Sequence, residues 1–240
     1  MTGVQHDDSA PKQVDDRGLR NLLMRVLAAL VLIPVAVGVA YAGGWWWAAL
    51  VTVISIGLFI EWRMIVGAQR LGWVALGVVY ALAALAASIV VRLDPTWGFA
   101  ALMFVLLIVW VTDIGGYFAG RGIGGPKLWP RVSPKKTWAG AIGGLVLSLA
   151  VAAGFAYYGV GRLVPLLVLA TVLTVVSQLG DLFESAVKRN FGVKDSSHII
   201  PGHGGLLDRL DGYVFAVVAA ALIGFVRSGA DGVGRGLMVW

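Results

Sequence analysis

Asp208 and Asp211 stand three residues apart, so on a helix their carboxylates share one face. Pro201, Gly202, Gly204 and Gly205 precede them as a pliable turn. Paired carboxylates suit a hard cation such as Mg²⁺, which takes oxygen ligands and keeps phosphate oxygens as partners, and a glycine-rich backbone lets amides approach a phosphate. Taken alone, the same fragments also read as a helix cap and a loop. They close a stretch, residues 185–211, that gathers Lys188, Arg189, Lys194, His198, His203 and Arg209 into a chain that is otherwise mostly apolar. His203, between two glycines, is a candidate site residue, whereas His198 reads as a hydrogen-bonding loop residue.

Three further groups could join them. Asp113 lies inside an apolar run, where an ionisable side chain is costly without a partner or a task. The glycines after it (Gly115, Gly116, Gly120, Gly122, Gly124, Gly125) could admit a phosphate or simply pack helices. Ser133, Lys135, Lys136 and Thr137 offer phosphate donors just before another apolar run, or a helix cap with topogenic charge. Asp181, Glu184 and Lys188 share a helical face opposite Leu182, Phe183, Ala186 and Val187, which predicts an amphipathic surface helix stopping at Gly192, with Glu184 and Lys188 as an i,i+4 pair. Glu61 reads as structural, paired with a neighbouring arginine.

The elements that must position these residues are membrane spans. Of 240 residues 59% are hydrophobic and 13% charged, and the mean hydropathy is +0.85, values of an integral membrane protein. With no cysteine, disulfides and thiolate metal sites are excluded. The fold class expected is all-α and polytopic, with about seven spans at residues 22–41, 45–60, 71–91, 97–119, 138–158, 163–179 and 206–226. Pro34 kinks the first, which is retained rather than cleaved, and Trp45, Trp46 and Trp47 form an interfacial belt. Residues 1–21 read as a disordered cytoplasmic tail, 22–226 as the catalytic membrane domain and 227–240 as a flexible, glycine-rich tail. Fifteen of the 19 basic residues fall in the tail and alternate loops and four on the other side, which puts the N-terminus and every motif above on the cytoplasmic side. The net charge of +6 is spread over short loops with no long basic tract, so nucleic acid is not an expected partner.

Carboxylates, lysines and glycines at one membrane interface suit phosphoryl chemistry, which asks for positioning and charge stabilisation more than for covalent help. In this setting residues 185–211 resemble the signature of the phosphatidate cytidylyltransferases, or CDP-diacylglycerol synthases. The likeness is carried by Ser185, Lys188, Arg189, Lys194, Asp195, Pro201, His203, Gly204, Gly205, Asp208, Arg209 and Asp211, supported by Asp113 with its glycines, SPKKTW followed by Gly140, and SQLGDLFES at 177–185. It covers roughly the C-terminal half. Ala139 stands where the family usually has glutamate and Gly212 where serine is common, and the chain is short for the family, as though N-terminal spans were missing.

The resemblance implies that CTP and phosphatidate give CDP-diacylglycerol and pyrophosphate for phospholipid synthesis, in a bacterial inner membrane. It implies Asp208 and Asp211, with Asp181 and Asp113, as Mg²⁺ ligands, a second cation and a homodimer both being compatible. Lys135, Lys136, Lys188, Arg189 and Arg209 would hold phosphates as charge-assisted donors, with Ser133, Thr137, Lys194, Gly204 and Gly205 beside them, and His203 would orient a phosphate. A CDP-alcohol phosphatidyltransferase also begins its motif with DxxDG, here residues 208–212, but the arginine and second aspartate pair that must follow are missing. A transporter would place charge or broken helices near the midplane rather than at one interface.

Overall fold

The computed structural model describes residues 30, 33–197 and 205–240. In chain order these form α1 (Ile33–Ala42), α2 (Gly44–Val66), α3 (Leu71–Leu93), α4 (Gly98–Gly122), a short hairpin of β1 (Lys127–Trp129) and β2 (Ser133–Thr137), α5 (Trp138–Tyr157), α6 (Leu163–Asn190), α7 (Leu207–Ser228), a 3₁₀ turn (Ala230–Gly232) and α8 (Val233–Met238). Helices α2 to α7 are each long and apolar enough to cross a membrane, and α1 belongs to the first predicted run. The protein is thus an all-α, multi-pass membrane protein. The tail at 1–21 and most of the first run before α1 lie outside the described residues.

Successive spans alternate in direction, so the C-terminal ends of α2, α4 and α6 and the N-terminal ends of α3, α5 and α7 share one end of the bundle. Buried side chains such as Phe104, Ile108, Leu173 and Val217 fill the centre. Helices α4 and α5 come closest because glycine meets backbone across their contact: a Cβ at Gly144 would stand 2.7 Å from the Thr112 carbonyl, and one at Gly115 would stand 2.6 Å from that of Gly143. Buried hydroxyls join the helices where no water can serve them. Thr112 Oγ1 lies 3.0 Å from Ser148 Oγ and 3.4 Å from Thr174 Oγ1, and Ser88 Oγ lies 2.9 Å from the Tyr213 hydroxyl.

Four expectations change. Helix α2 does not stop at residue 60 but runs to Val66, because Glu61 is wholly buried and satisfied by the protein. Its partners are not an arginine but the hydroxyls of Ser196 and Ser197 and the amides of Leu206 and Leu207. The sixth span and the expected surface helix are one unbroken helix, α6, in which Leu182, Glu184, Val187 and Lys188 are all buried, so both faces of this stretch pack against the protein. The residues after 227 are packed: Val233, Leu237 and Met238 of α8 are fully buried, the Arg235 amide donates to Asp94 Oδ2 at 2.9 Å, and Arg227 donates to the Gly236 carbonyl. Finally, Trp45 and Trp46 are exposed as a belt requires, but Trp47 turns inward and donates to the Ser88 carbonyl at 2.9 Å.

Candidate functional site

SPKKT folds as the extended strand β2 rather than as a helical approach to α5, paired antiparallel with β1. Thr137 ends it and caps α5, accepting from the Gly140 amide at 3.1 Å. The preceding residue, Lys136, reaches α6 and forms an ion pair with Asp181. Lys135, Lys136, Lys127 and Arg121 line a cavity of about 570 Å³ that also takes in Asp113 and Asp181. One wall is made by Gly116, Gly120 and Gly140, which serve the α4–α5 contact: a Cβ at Gly140 would lie 2.8 Å from the Gly116 carbonyl.

A second polar cluster adjoins it between α3, α6 and α7. Gly180 sets the spacing: a Cβ there would meet the Asp211 carbonyl at 2.7 Å and Phe215 at 2.8 Å, so only glycine lets α6 and α7 come this close. Asp181, next in the chain, is thereby brought within electrostatic range of Asp211, as is Glu184 one turn on. Gly212 has the same explanation. A Cβ there would stand 2.5 Å from Ser177 Oγ, so the serine common at that position in the resembled family would require the Ser177 hydroxyl to turn aside.

Two lysines offset part of this negative charge. Lys188 Nζ lies 2.5 Å from Asp208 Oδ1 and 2.7 Å from Glu184 Oε2, while Lys136 serves Asp181. Asp208 also accepts from the Ser196 amide and hydroxyl, each at 3.1 Å, and from the Gly205 amide at 3.3 Å. The first-turn amides of α7 are capped from outside by Glu61 at 2.8 Å, since Leu206 at the N-cap position has no side-chain oxygen to offer. Capping is therefore Glu61's task, and the Asp208–Asp211 pair is not needed for it.

The other predicted residues divide. Arg209 and Asp113 are close enough to interact electrostatically, which joins α7 to the cavity. Ser133 is half-buried on β2; Lys194 and Arg189 are exposed, and Arg189 donates to the Val193 carbonyl at 3.1 Å. Neither of these two basic residues lines the cavity. His198, His203 and Gly204 lie outside the described residues. Sequence reasoning missed the roles of Lys127, Arg121, Gly180 and Tyr80, and gave Glu61 the wrong partner. An acidic residue directly after an apolar run was the signal for Glu61; nothing in a tyrosine on an apolar helix singles out Tyr80.

The donor set suits a hard cation. It offers carboxylate oxygens, and polar atoms are left over: Glu184 Oε1 and the Tyr80 hydroxyl are buried with no partner among the described residues. No group of three or more carboxylates or histidines is gathered as a closed metal cage among the described residues.

Known proteins resemble this chain. Phosphatidate cytidylyltransferase of Brucella suis is 46% identical over 192 residues, covering 76% of this chain and 66% of that protein. The proteins of the same name from Bacillus subtilis (40% over 153 residues, 62% and 56%) and Haemophilus influenzae (46% over 130 residues, 52% and 45%) are also similar. The chain thus spans just under two thirds of the length of the Brucella relative, and less of the others. Residues 67–226, more than half of the chain and including every described candidate side chain, match the model of the cytidylyltransferase family, and the chain belongs to that family.

Proposed function

We propose that this protein transfers a cytidylyl group from CTP to phosphatidate, releasing pyrophosphate and leaving CDP-diacylglycerol in the membrane. The observation that carries the reading is the adjacency of a basic cavity to a lysine-paired carboxylate cluster at one end of a membrane bundle, in a chain 46% identical to a protein named for that activity. Both reactants are polyanions, so their approach is repulsive until neutralised. Lys135, Lys136 and Lys127 supply that neutralisation in the cavity, and Arg209 and Lys188 supply it on the α6–α7 side.

A phosphate oxygen of phosphatidate attacks the α-phosphorus of CTP; the new P–O bond forms as the bond to the β-phosphate oxygen breaks, and its electrons leave with pyrophosphate. No general base is needed, because the lipid phosphate is already ionised at neutral pH. Asp208 and Asp211, with Asp181 and Asp113 as further candidates, would hold Mg²⁺, which when bound supplies charge stabilisation for the phosphate oxygens and the leaving group. Lys188 and Lys136 orient Asp208 and Asp181 through their ion pairs. The basic-residue asymmetry supports a cytoplasmic N-terminus, with the site on the cytoplasmic side of a bacterial inner membrane.

The test is pyrophosphate release by detergent-purified protein with CTP, phosphatidate and Mg²⁺ omitted in turn. Product is expected only when all three are present; product without phosphatidate, or none with all three, sinks the reading.

A further inference from the structure

We infer that Glu61, which lies outside the segment matched by the family model, is a positioning residue for Asp208, holding the start of α7 and the Ser196 hydroxyl in the one arrangement that aims the Asp208 carboxylate. This rests on the cytidylyl-transfer reading above.

Glu61 has no exposed surface, and a carboxylate in such a place is tolerated only when donors surround it. Both oxygens are used. Oε1 accepts from Ser197 Oγ at 2.6 Å and the Leu206 amide at 2.8 Å; Oε2 accepts from Ser196 Oγ and the Leu207 amide, each at 2.8 Å. Two of these donors precede residues 198–204 in the chain and two follow them, so one side chain from α2 ties both flanks of that segment together. The amides it binds are the first of α7, where the helix favours negative charge.

The link to Asp208 is direct. Ser196 Oγ stands 2.8 Å from Glu61 Oε2 and 3.1 Å from Asp208 Oδ2, so its single hydroxyl hydrogen lies between two carboxylates. The Ser196 amide fixes the same Asp208 oxygen at 3.1 Å. Gly205 completes the node. A Cβ there would collide with Ser196 Oγ and stand 2.6 Å from Glu61 Oε2, while its amide donates to Asp208. Gly205, expected from sequence to admit a phosphate, is thus occupied by contacts within the protein. Moving Glu61 would release the Ser196 hydroxyl and the α7 start together, loosening the Oδ2 side of Asp208 while Lys188 still holds Oδ1.

The experiment compares wild type, Glu61→Ala, Glu61→Asp and Ser196→Ala in detergent by two readouts: amide hydrogen exchange and the Mg²⁺ concentration for half-maximal activity. Glu61→Ala is expected to speed exchange across residues 205–211 while leaving α5 unchanged, and to raise the Mg²⁺ requirement by about tenfold, as loss of an outer-shell partner does. Ser196→Ala should raise it in the same direction and Glu61→Asp by less. Adding Ser196→Ala to Glu61→Ala should cost less than the two single effects combined, because one node is already lost. Unchanged exchange at 205–211, or an unchanged Mg²⁺ requirement, overturns the inference. Should Glu61→Ala fail to fold, Ser196→Ala decides alone by the Mg²⁺ requirement. An inactive wild type whose Glu61→Ala form still exchanges faster at 205–211 would defeat the cytidylyl-transfer reading and leave the clamp standing.

Discussion

The Lys188 ammonium sits 2.5 Å from the carboxylate of Asp208, twenty residues further along the chain, and the pair joins the last turns of α6 to the first turn of α7. The same ammonium is 2.7 Å from Glu184, so one cation restrains two carboxylates that would otherwise repel. Breaking such a partly buried triad leaves a charge without its partner, which costs more than forming it gained.

Asp208→Asn and Asp211→Asn keep side-chain size and remove one charge each. Because Glu61 caps α7, both variants should insert and fold. Turnover should fall by on the order of a hundredfold or more, with residual activity requiring more Mg²⁺. Steady-state rates across a Mg²⁺ titration check this, and near-normal turnover at unchanged Mg²⁺ dependence would remove that carboxylate from the ligand set.

Lys136→Met deprives Asp181 of its ion-pair partner and removes a cation from the cavity wall. The KM for CTP should rise by about tenfold, equivalent to about 1.4 kcal/mol. Lys194→Met, at an exposed position away from the cavity, should change it much less.

Gly144→Ala tests the α4–α5 contact. Its methyl group would press on the Thr112 carbonyl at 2.7 Å, and the helices must part to admit it. A loss of about 1–3 kcal/mol is expected, read as a lower melting temperature in detergent.

At the other end of the bundle, Asp94 links the start of α4 to α8. Burial raises its pKa, but amide donation from Trp97, Arg235 and Thr96 outweighs this and holds the carboxyl below its ordinary value. The bonds are 2.9 Å each. A carboxyl with a depressed folded pKa stabilises fully above its unfolded value of about 3.9 and loses that contribution as pH falls through the lower folded value. The stability difference between wild type and Asp94→Asn should therefore be constant near neutrality and shrink below about pH 4, as followed by pH-dependent thermal melts; a difference constant down to pH 2 would refute it.

Orientation can be read with single cysteines, since none occurs naturally. Asn190→Cys and Ser228→Cys both lie at exposed positions, at the ends of α6 and α7. An impermeant reagent should label the first only from the cytoplasmic side and the second only from outside; the reverse pattern inverts the topology.

Most spans were legible because their apolar runs are long and bounded by charge. What failed did so where tertiary contacts override local pattern. Lys188 and Glu184 look like the wet face of a surface helix, yet they are buried because each neutralises the other and Asp208 joins them. Glu61 looks like the end of a span, but donors from Ser196, Ser197, Leu206 and Leu207 let the helix continue through it. Glycines at 229, 232, 234 and 236 suggested a loose tail, whereas Gly234 and Gly236 are the small surfaces by which α8 packs against α3, α4 and α7. The acidic and basic candidates were found from residue type and spacing; their pairing was not, because Lys136 with Asp181 and Lys188 with Asp208 are contacts between elements.

The unbroken run of α6 also fixes a depth. Its 28 residues rise about 42 Å at 1.5 Å each, some 12 Å more than a hydrocarbon core of about 30 Å. With Arg162 set at one boundary and the helix upright, the surplus begins near Asp181, which would put Asp181, Glu184 and Lys188 level with the lipid headgroups. On the cytidylyl-transfer reading proposed above, a lipid phosphate at that height would meet them by sliding sideways within its own leaflet, with its chains still dissolved in the bilayer, and only the water-soluble nucleotide would need to travel.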